Sequence, residues 1–144
     1  MRLRNVKNAR EIVSNHNLVV TKNPFDNFKP LHIEIGTGKG DFIIGKAKLH
    51  PEINFIGIEK YESVLIRALN KVEDIPENLR FMCFDAIKIT DYFNNNVDQI
   101  YLNFSDPWPK KKHSKRRLTS PIFLDLYNQI SKDNINIKMK TDNK

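Results

Sequence analysis

Leu31-His32-Ile33-Glu34-Ile35-Gly36-Thr37-Gly38-Lys39-Gly40 is the stretch from which the fold of this chain is read. Leu31–Ile35 is a short, mostly apolar run, and the glycines that follow stop it at once. A run of that length and ending is a buried strand. Asp41–Leu49 comes next, with Phe42, Ile43, Ile44 and Ala47 on one helical face. A strand, a glycine turn and a helix in that order are the opening unit of an alternating α/β chain.

The alternation continues outward from that unit. Residues 54–58 read as a second strand. Residues 62–72 place Val64, Leu65, Ala68, Leu69 and Val72 at helical spacing. A third strand is expected over 80–84, a weak helix or turn over 87–93, and a fourth strand over 99–104. A further helix starts at Ser120, a suitable cap, with Pro121 at the first helical position. Ile122, Phe123, Leu126, Tyr127 and Ile130 form its apolar face. Residues 135–140 then alternate apolar and polar as a fifth strand. This order implies a parallel sheet with helices on both faces. In such sheets ligands lie beyond the carboxyl ends of the strands, where strand order reverses. The notable short motifs, at 36–40, 59–60, 85–86, 105–110 and 141–142, all fall at those ends.

Composition narrows the class. The chain has 144 residues, 40% of them hydrophobic, which fits one folded domain with its own core. Net charge is +7, from 24 basic and 17 acidic residues. Setting aside the six Lys and Arg of 110–117 leaves 18 against 17, so the excess is concentrated in one segment. Such concentration points to a polyanion-binding ridge. Residues 1–30 form a basic N-terminal extension, with Arg2, Arg4, Lys7 and Arg10 either lengthening that ridge or making a separate basic arm. Cys83 is the one cysteine, which excludes an intrachain disulfide and a cysteine metal cage. His16, His32, His50 and His113 lack metal-ligand spacing, so no metal is expected. No apolar run approaches membrane-spanning length and no signal-peptide pattern opens the sequence, so a cytoplasmic protein without membrane attachment is expected.

The glycine loop selects among ligands. Its spacing is G-x-G-x-G, whereas the dinucleotide fingerprint is G-x-G-x-x-G, and no Walker pattern surrounds Lys39. Gly36 and Gly38 allow a ligand to lie against bare backbone. Glu34 on the lip of the loop would repel a pyrophosphate and favour a cationic ligand such as the sulfonium S-adenosylmethionine. Glu59, 19 residues beyond Gly40, stands where an acid accepts both hydroxyls of an adenosine ribose. Asp85-Ala86, after the third strand, is where an acid would accept the adenine amino hydrogens.

After the fourth strand comes Asn103-Phe104-Ser105-Asp106-Pro107-Trp108-Pro109, then Lys110-Lys111-Lys112-His113-Ser114-Lys115-Arg116-Arg117. Two prolines stiffen the backbone around a carboxylate and a large flat ring. The basic octet behind them is what a phosphate backbone attracts. A held acid and an aromatic beside a phosphate-seeking ridge point to chemistry on a nucleic-acid base. Trp108 either stacks on a base or cofactor or packs beneath the prolines.

Taken in order, Glu34-x-Gly36-x-Gly38-x-Gly40, Ile56-Gly57-Ile58-Glu59, Asp85-Ala86, Asp106-Pro107-Trp108-Pro109-Lys110-Lys111 and Lys115-Arg116-Arg117-Leu118 resemble the bacterial tRNA (guanine-N7)-methyltransferases. Leu118-Thr119-Ser120-Pro121, Phe123-Leu124 and Lys140-Thr141-Asp142-Asn143 are similar to the same family. The resemblance runs from about residue 31 onward and implies a methyltransferase domain over 31–144. It implies a Rossmann-like class I S-adenosylmethionine-dependent methyltransferase fold that modifies guanine 46 in the variable loop of tRNA. It makes Glu34, Glu59, Asp85 and Asp106 cofactor contacts, with Asp106 also the candidate catalytic carboxylate. Lys110 and Asp142 match substrate-contacting positions, and Lys112, His113, Ser114, Lys115, Arg116 and Arg117 the RNA-binding stretch. The family continues past the T-D-N segment with two more strands and a second substrate-contacting segment, whereas this sequence stops at Lys144. The expected sheet therefore has five strands, lacks the last two and leaves an edge exposed.

Two other readings stand beside this one. An amino-methyltransferase acting on adenine or cytosine uses a similar D-P-P-aromatic string; here the second proline falls after Trp108 and the basic run follows directly, which favours guanine N7. A chain that binds cofactor or tRNA without turnover is the non-enzyme reading. Monomer and homodimer both remain open.

Overall fold

The computed structural model describes residues 7–74, 76–103 and 120–132, together with the backbone of 137–140. Its elements are α1 (Ala9–Ser14), β1 (Leu31–Ile35), α2 (Asp41–Leu49), β2 (Asn54–Glu59), α3 (Glu62–Leu69), β3 (Leu79–Cys83), a 3-10 helix (Ala86–Asp91), β4 (Gln99–Asn103), α4 (Pro121–Ile130) and β5 (Ile137–Lys140). The strands form one parallel sheet in the order β3-β2-β1-β4-β5. Strand order reverses between β1 and β4, so their carboxyl ends flank the crevice where this architecture places its ligands.

Alternation along the strands divides the core into two layers. Ile33, Ile35, Ile56, Ile58, Ile100 and Leu102 face Phe123, Tyr127 and Ile130 of α4 and Ile89 of the 3-10 helix. On the opposite layer Phe55, Leu79 and Phe81 meet Ile43, Ile44 and Ala47 of α2 and Leu65, Ala68 and Leu69 of α3. Burial of β2 along its whole length, through Glu59, fits its place inside a sheet covered on both faces.

Several boundaries differ from the sequence expectation. The second helix ends at Leu69, with Asn70 as its C-cap, short of 72; Val72 still packs against the core from the turn that follows. The third strand starts one residue earlier than expected, at Leu79. Asn78 explains the shift: its side-chain amide donates to the carbonyls of Ala47, His50 and Ile53, pinning the strand entrance to the end of α2. Phe84 leaves the strand and stacks on Tyr92, with ring centroids 3.9 Å apart. The expected strand over 99–104 is described as far as Asn103. Of the fifth strand expected over 135–140, Ile137–Lys140 is described. Ser120 holds the N-cap position of α4, but its hydroxyl does not make the capping bond; its carbonyl accepts Leu124 N–H at 2.9 Å and Pro121 supplies the first turn.

Part of the N-terminal extension is built into the fold. Val13 of α1 and Leu18 are buried with α3 and Phe81. Leu18 O accepts Phe81 N–H at 2.7 Å, and Val20 N–H donates to Phe81 O at 2.9 Å. This pairing of Val19 alongside Phe81 lays a short parallel segment on the outer edge of β3. Covering that edge removes one template for sheet-to-sheet association.

Candidate active site

The glycine loop rises from the carboxyl end of β1. Gly36 N–H and Thr37 N–H both donate to Ile58 O at 2.9 Å, which folds the loop back over β2. Gly36, Gly38 and Gly40 all have positive φ. At Gly38 the need is for bare backbone: among the described residues a side chain there would meet nothing closer than 3.9 Å, from Asn103 Nδ2 and Gly36 O. At Gly40, the N-cap of α2, the need is for room, because a Cβ would lie 2.8 Å from the Cβ of Ala68.

Glu34 is fully buried beneath this loop, and Thr37 Oγ1 donates a hydrogen bond to its Oε1. Glu59, at the end of β2, is 8% exposed. Its Oε1 accepts Gly38 N–H at 2.9 Å and its Oε2 accepts Tyr61 N–H at 3.1 Å. The sequence reading gives Glu59 to a ribose diol; the structure adds that its carboxylate first ties the loop to β2.

Asp85 lies beyond β3 as the N-cap of the 3-10 helix, where its Oδ1 accepts Ile87 N–H at 3.2 Å. Its Oδ2 is 3.3 Å from Lys60 Nζ. The charge of Asp85 is the main cause of the rise in the Lys60 pKa above the usual lysine value. Cys83, one residue past Met82 on β3, is half-buried; burial first, then the charges of Glu62 and Glu59, push its thiol up to about 11. Its Sγ donates to Lys60 O at 3.7 Å. A half-buried, weakly acidic thiol serves as a small packing group.

Gly36, Gly38, Glu34, Glu59 and Asp85 therefore gather at the carboxyl ends of β1, β2 and β3, as their positions in the chain require. Asp106, Lys110, Lys112, His113, Ser114, Lys115, Arg116, Arg117 and Asp142 lie outside the described residues. Asn103, the last described residue of β4, turns its side chain toward Gly38, and its Oδ1 is buried with no hydrogen-bond partner among the described residues. Sequence reasoning passed over Asn103, Thr37 and Lys60. Thr37 stands three residues after Glu34 in a turn, a spacing that signals a local hydroxyl-to-carboxylate bond. Lys60 follows Glu59 directly, but its partner comes from another strand. Among the described residues no cluster of His, Cys, Asp and Glu could hold a metal, and no helix is long and apolar enough to cross a membrane.

Comparison with known proteins agrees with this fold. A family model described as "Putative methyltransferase" matches residues 28–144. A tRNA (guanine-N(7)-)-methyltransferase of Lysinibacillus sphaericus is 48% identical, covering 100% of this chain and 73% of that protein. One from Lachnoclostridium phytofermentans is 50% identical, covering 100% of this chain and 72% of that protein. Among solved structures, an antibiotic-related methyltransferase superimposes with a TM-score of 0.63 at 20% identity, over 98% of this chain and 67% of its own; it supports the fold alone. With identity of this level over its full length, the chain belongs to the tRNA (guanine-N(7)-)-methyltransferase family.

Proposed function

We propose that this chain transfers the methyl group of S-adenosylmethionine to N7 of a guanine in tRNA, with guanine 46 of the variable loop as the target. The observation that carries the reading is the Glu59 carboxylate bridging Gly38 N–H and Tyr61 N–H, which sets an acid against an open glycine loop. The donor set fits the cofactor. Three carboxylates at adjacent strand ends suit a ligand that is cationic and carries a diol and an exocyclic amine. A glycine whose missing side chain would meet no described residue closer than 3.9 Å leaves room for it. In this reading Glu34 faces the cationic end of the ligand, Glu59 the ribose hydroxyls and Asp85 the adenine amino group, with Gly36 and Gly38 beneath.

Bound there, the cofactor supplies an electrophilic methyl on sulfonium sulfur. Guanine N7 has a free lone pair, so no base need remove a proton before attack, and alignment is the protein's main task. Asp106 lies against the purine in this reading, accepting its Watson–Crick-edge hydrogens and stabilising the positive charge that grows on the ring. Trp108 offers a face for stacking. Lys110 and Asp142 contact the substrate, and the ridge of Lys112, His113, Ser114, Lys115, Arg116 and Arg117 holds the tRNA backbone, contributing affinity more than base selectivity. The protein acts in the cytoplasm, where tRNA is found.

The test is methyl transfer from labelled cofactor to bulk tRNA, with the product nucleoside identified by mass. N7-methylguanosine in the wild type and its loss in Asp106→Ala, with tRNA binding less affected, is the expected result. Methylated adenine or cytosine would favour the amino-methyltransferase reading, and cofactor uptake without any methylated product would favour binding without turnover.

A further inference from the structure

Asp85 is held from two sides by groups of different origin. Ile87 N–H fixes Oδ1 from within the 3-10 helix, and Lys60 Nζ reaches Oδ2 from the end of β2. Lys60 is itself braced: its carbonyl accepts from Cys83 Sγ, and its ammonium lies 5.4 Å from the centroid of the Tyr61 ring. The pair is exposed, at 54% for Lys60 and 41% for Asp85, so as an ordinary surface ion pair it adds little to folding. Its effect is on the carboxylate. With one oxygen pinned by the backbone and the other by an ammonium, the group keeps one orientation. An ionised carboxylate only accepts hydrogen bonds. Tyr61 and Ile87, both exposed, stand next to Lys60 and Asp85 in the chain and offer apolar surface for a flat ring.

We propose that Lys60 is a positioning residue that sets the purine specificity of the cofactor site, by holding the Asp85 carboxylate as an acceptor for a 6-amino purine. The proposal rests on the reading of Asp85 as the adenine contact. A 6-amino group donates to such a carboxylate, whereas a 6-oxo group sets one acceptor against another. A carboxyl that swings away loses that distinction.

Calorimetric titration with S-adenosylhomocysteine and S-inosylhomocysteine tests this on the wild type, Lys60→Met and Asp85→Ala. The wild type should prefer the adenosyl ligand by about tenfold or more. Asp85→Ala should bring the ratio near one, and Lys60→Met should cut it by about threefold or more. A purely structural salt bridge would weaken both ligands alike and leave the ratio untouched. A full wild-type ratio in Lys60→Met, alongside its loss in Asp85→Ala, overturns the role of Lys60 and spares that of Asp85. A ratio that survives Asp85→Ala, or a wild type without preference, overturns the adenine contact and the proposal with it.

Discussion

Gly38 and Gly40 share a loop and a backbone conformation, yet substituting each by alanine should have separable consequences. Gly40 has φ +82°, and a methyl there would sit 2.8 Å from Ala68 Cβ, 3.1 Å from Ile44 Cδ1 and 3.5 Å from Ala68 Cα. Ala68 is fully buried in α3, so neither helix can yield without disturbing the core. The left-handed conformation costs an alanine about 1–2 kcal/mol. Forcing a methyl into a packed interface costs about 1–3 kcal/mol more. Gly40→Ala should therefore lose about 2–5 kcal/mol, a large share of the 5–15 kcal/mol typical of a domain. Gly38 has φ +59°, and its nearest neighbours among the described residues would be 3.9 Å away, so Gly38→Ala bears only the torsional cost of about 1–2 kcal/mol. Its methyl instead enters the space proposed for the cofactor.

Urea titration followed by circular dichroism measures the first effect, and calorimetry with S-adenosylhomocysteine the second. With a slope of about 1–3 kcal/mol per molar, Gly40→Ala should lower the midpoint by about 1 M or more. Adding Ala68→Gly removes the clashing methyl at a helix-propensity cost of about 1 kcal/mol, so the double variant should show a favourable coupling of about 1–3 kcal/mol. Gly38→Ala should bind the ligand at least tenfold more weakly while its midpoint falls by about half as much as that of Gly40→Ala, or less. Equal destabilisation by the two substitutions, or no coupling between positions 40 and 68, would refute the division of the loop into a packed end and an open end.

Three further outcomes follow from separate parts of the molecule. Because the Cys83 thiol is pushed up to about 11, its alkylation by iodoacetamide should rise about tenfold per pH unit between pH 8 and 10; a plateau near pH 9 contradicts this. By linkage the raised pKa favours the protonated thiol in the folded state, so this contribution to stability is present below the unfolded value and fades as pH climbs towards 11. Tyr127 is fully buried and its hydroxyl has no hydrogen-bond partner among the described residues, so Tyr127→Phe should be neutral or stabilising by about 1–2 kcal/mol in urea titration; a clear loss would reveal a partner. Replacing Lys112, Lys115, Arg116 and Arg117 with glutamine should reduce the slope of log K against log salt for tRNA binding by about 3, and an unchanged slope would reduce the ridge to a solvated loop.

The order of strands and helices was legible because each depends on short-range pattern. Leu31–Ile35 is apolar until glycine stops it, and the face of α3 repeats at helical spacing. Parallel topology then forces every strand's carboxyl end to one side, which is why Glu34, Glu59 and Asp85 could be placed together without coordinates. The contribution of residues before 20 was not legible, since Ile12-Val13 and Leu18-Val19-Val20 are apolar runs too short to declare an element and acquire meaning only against Phe81 and α3. The orientation of the acids was also hidden. Asp85 meets Lys60 because β2 and β3 run side by side with Glu59 level with Cys83, a register no local pattern encodes. Glu59 likewise needs the loop folded onto Ile58 before Gly38 N–H comes within reach. Sequence pattern thus placed the acids at a common edge, while cross-strand register determined which backbone and side-chain groups hold them there. Substitutions at the acids test the chemistry, and those at Lys60, Thr37 and Gly40 test the framework that aims it.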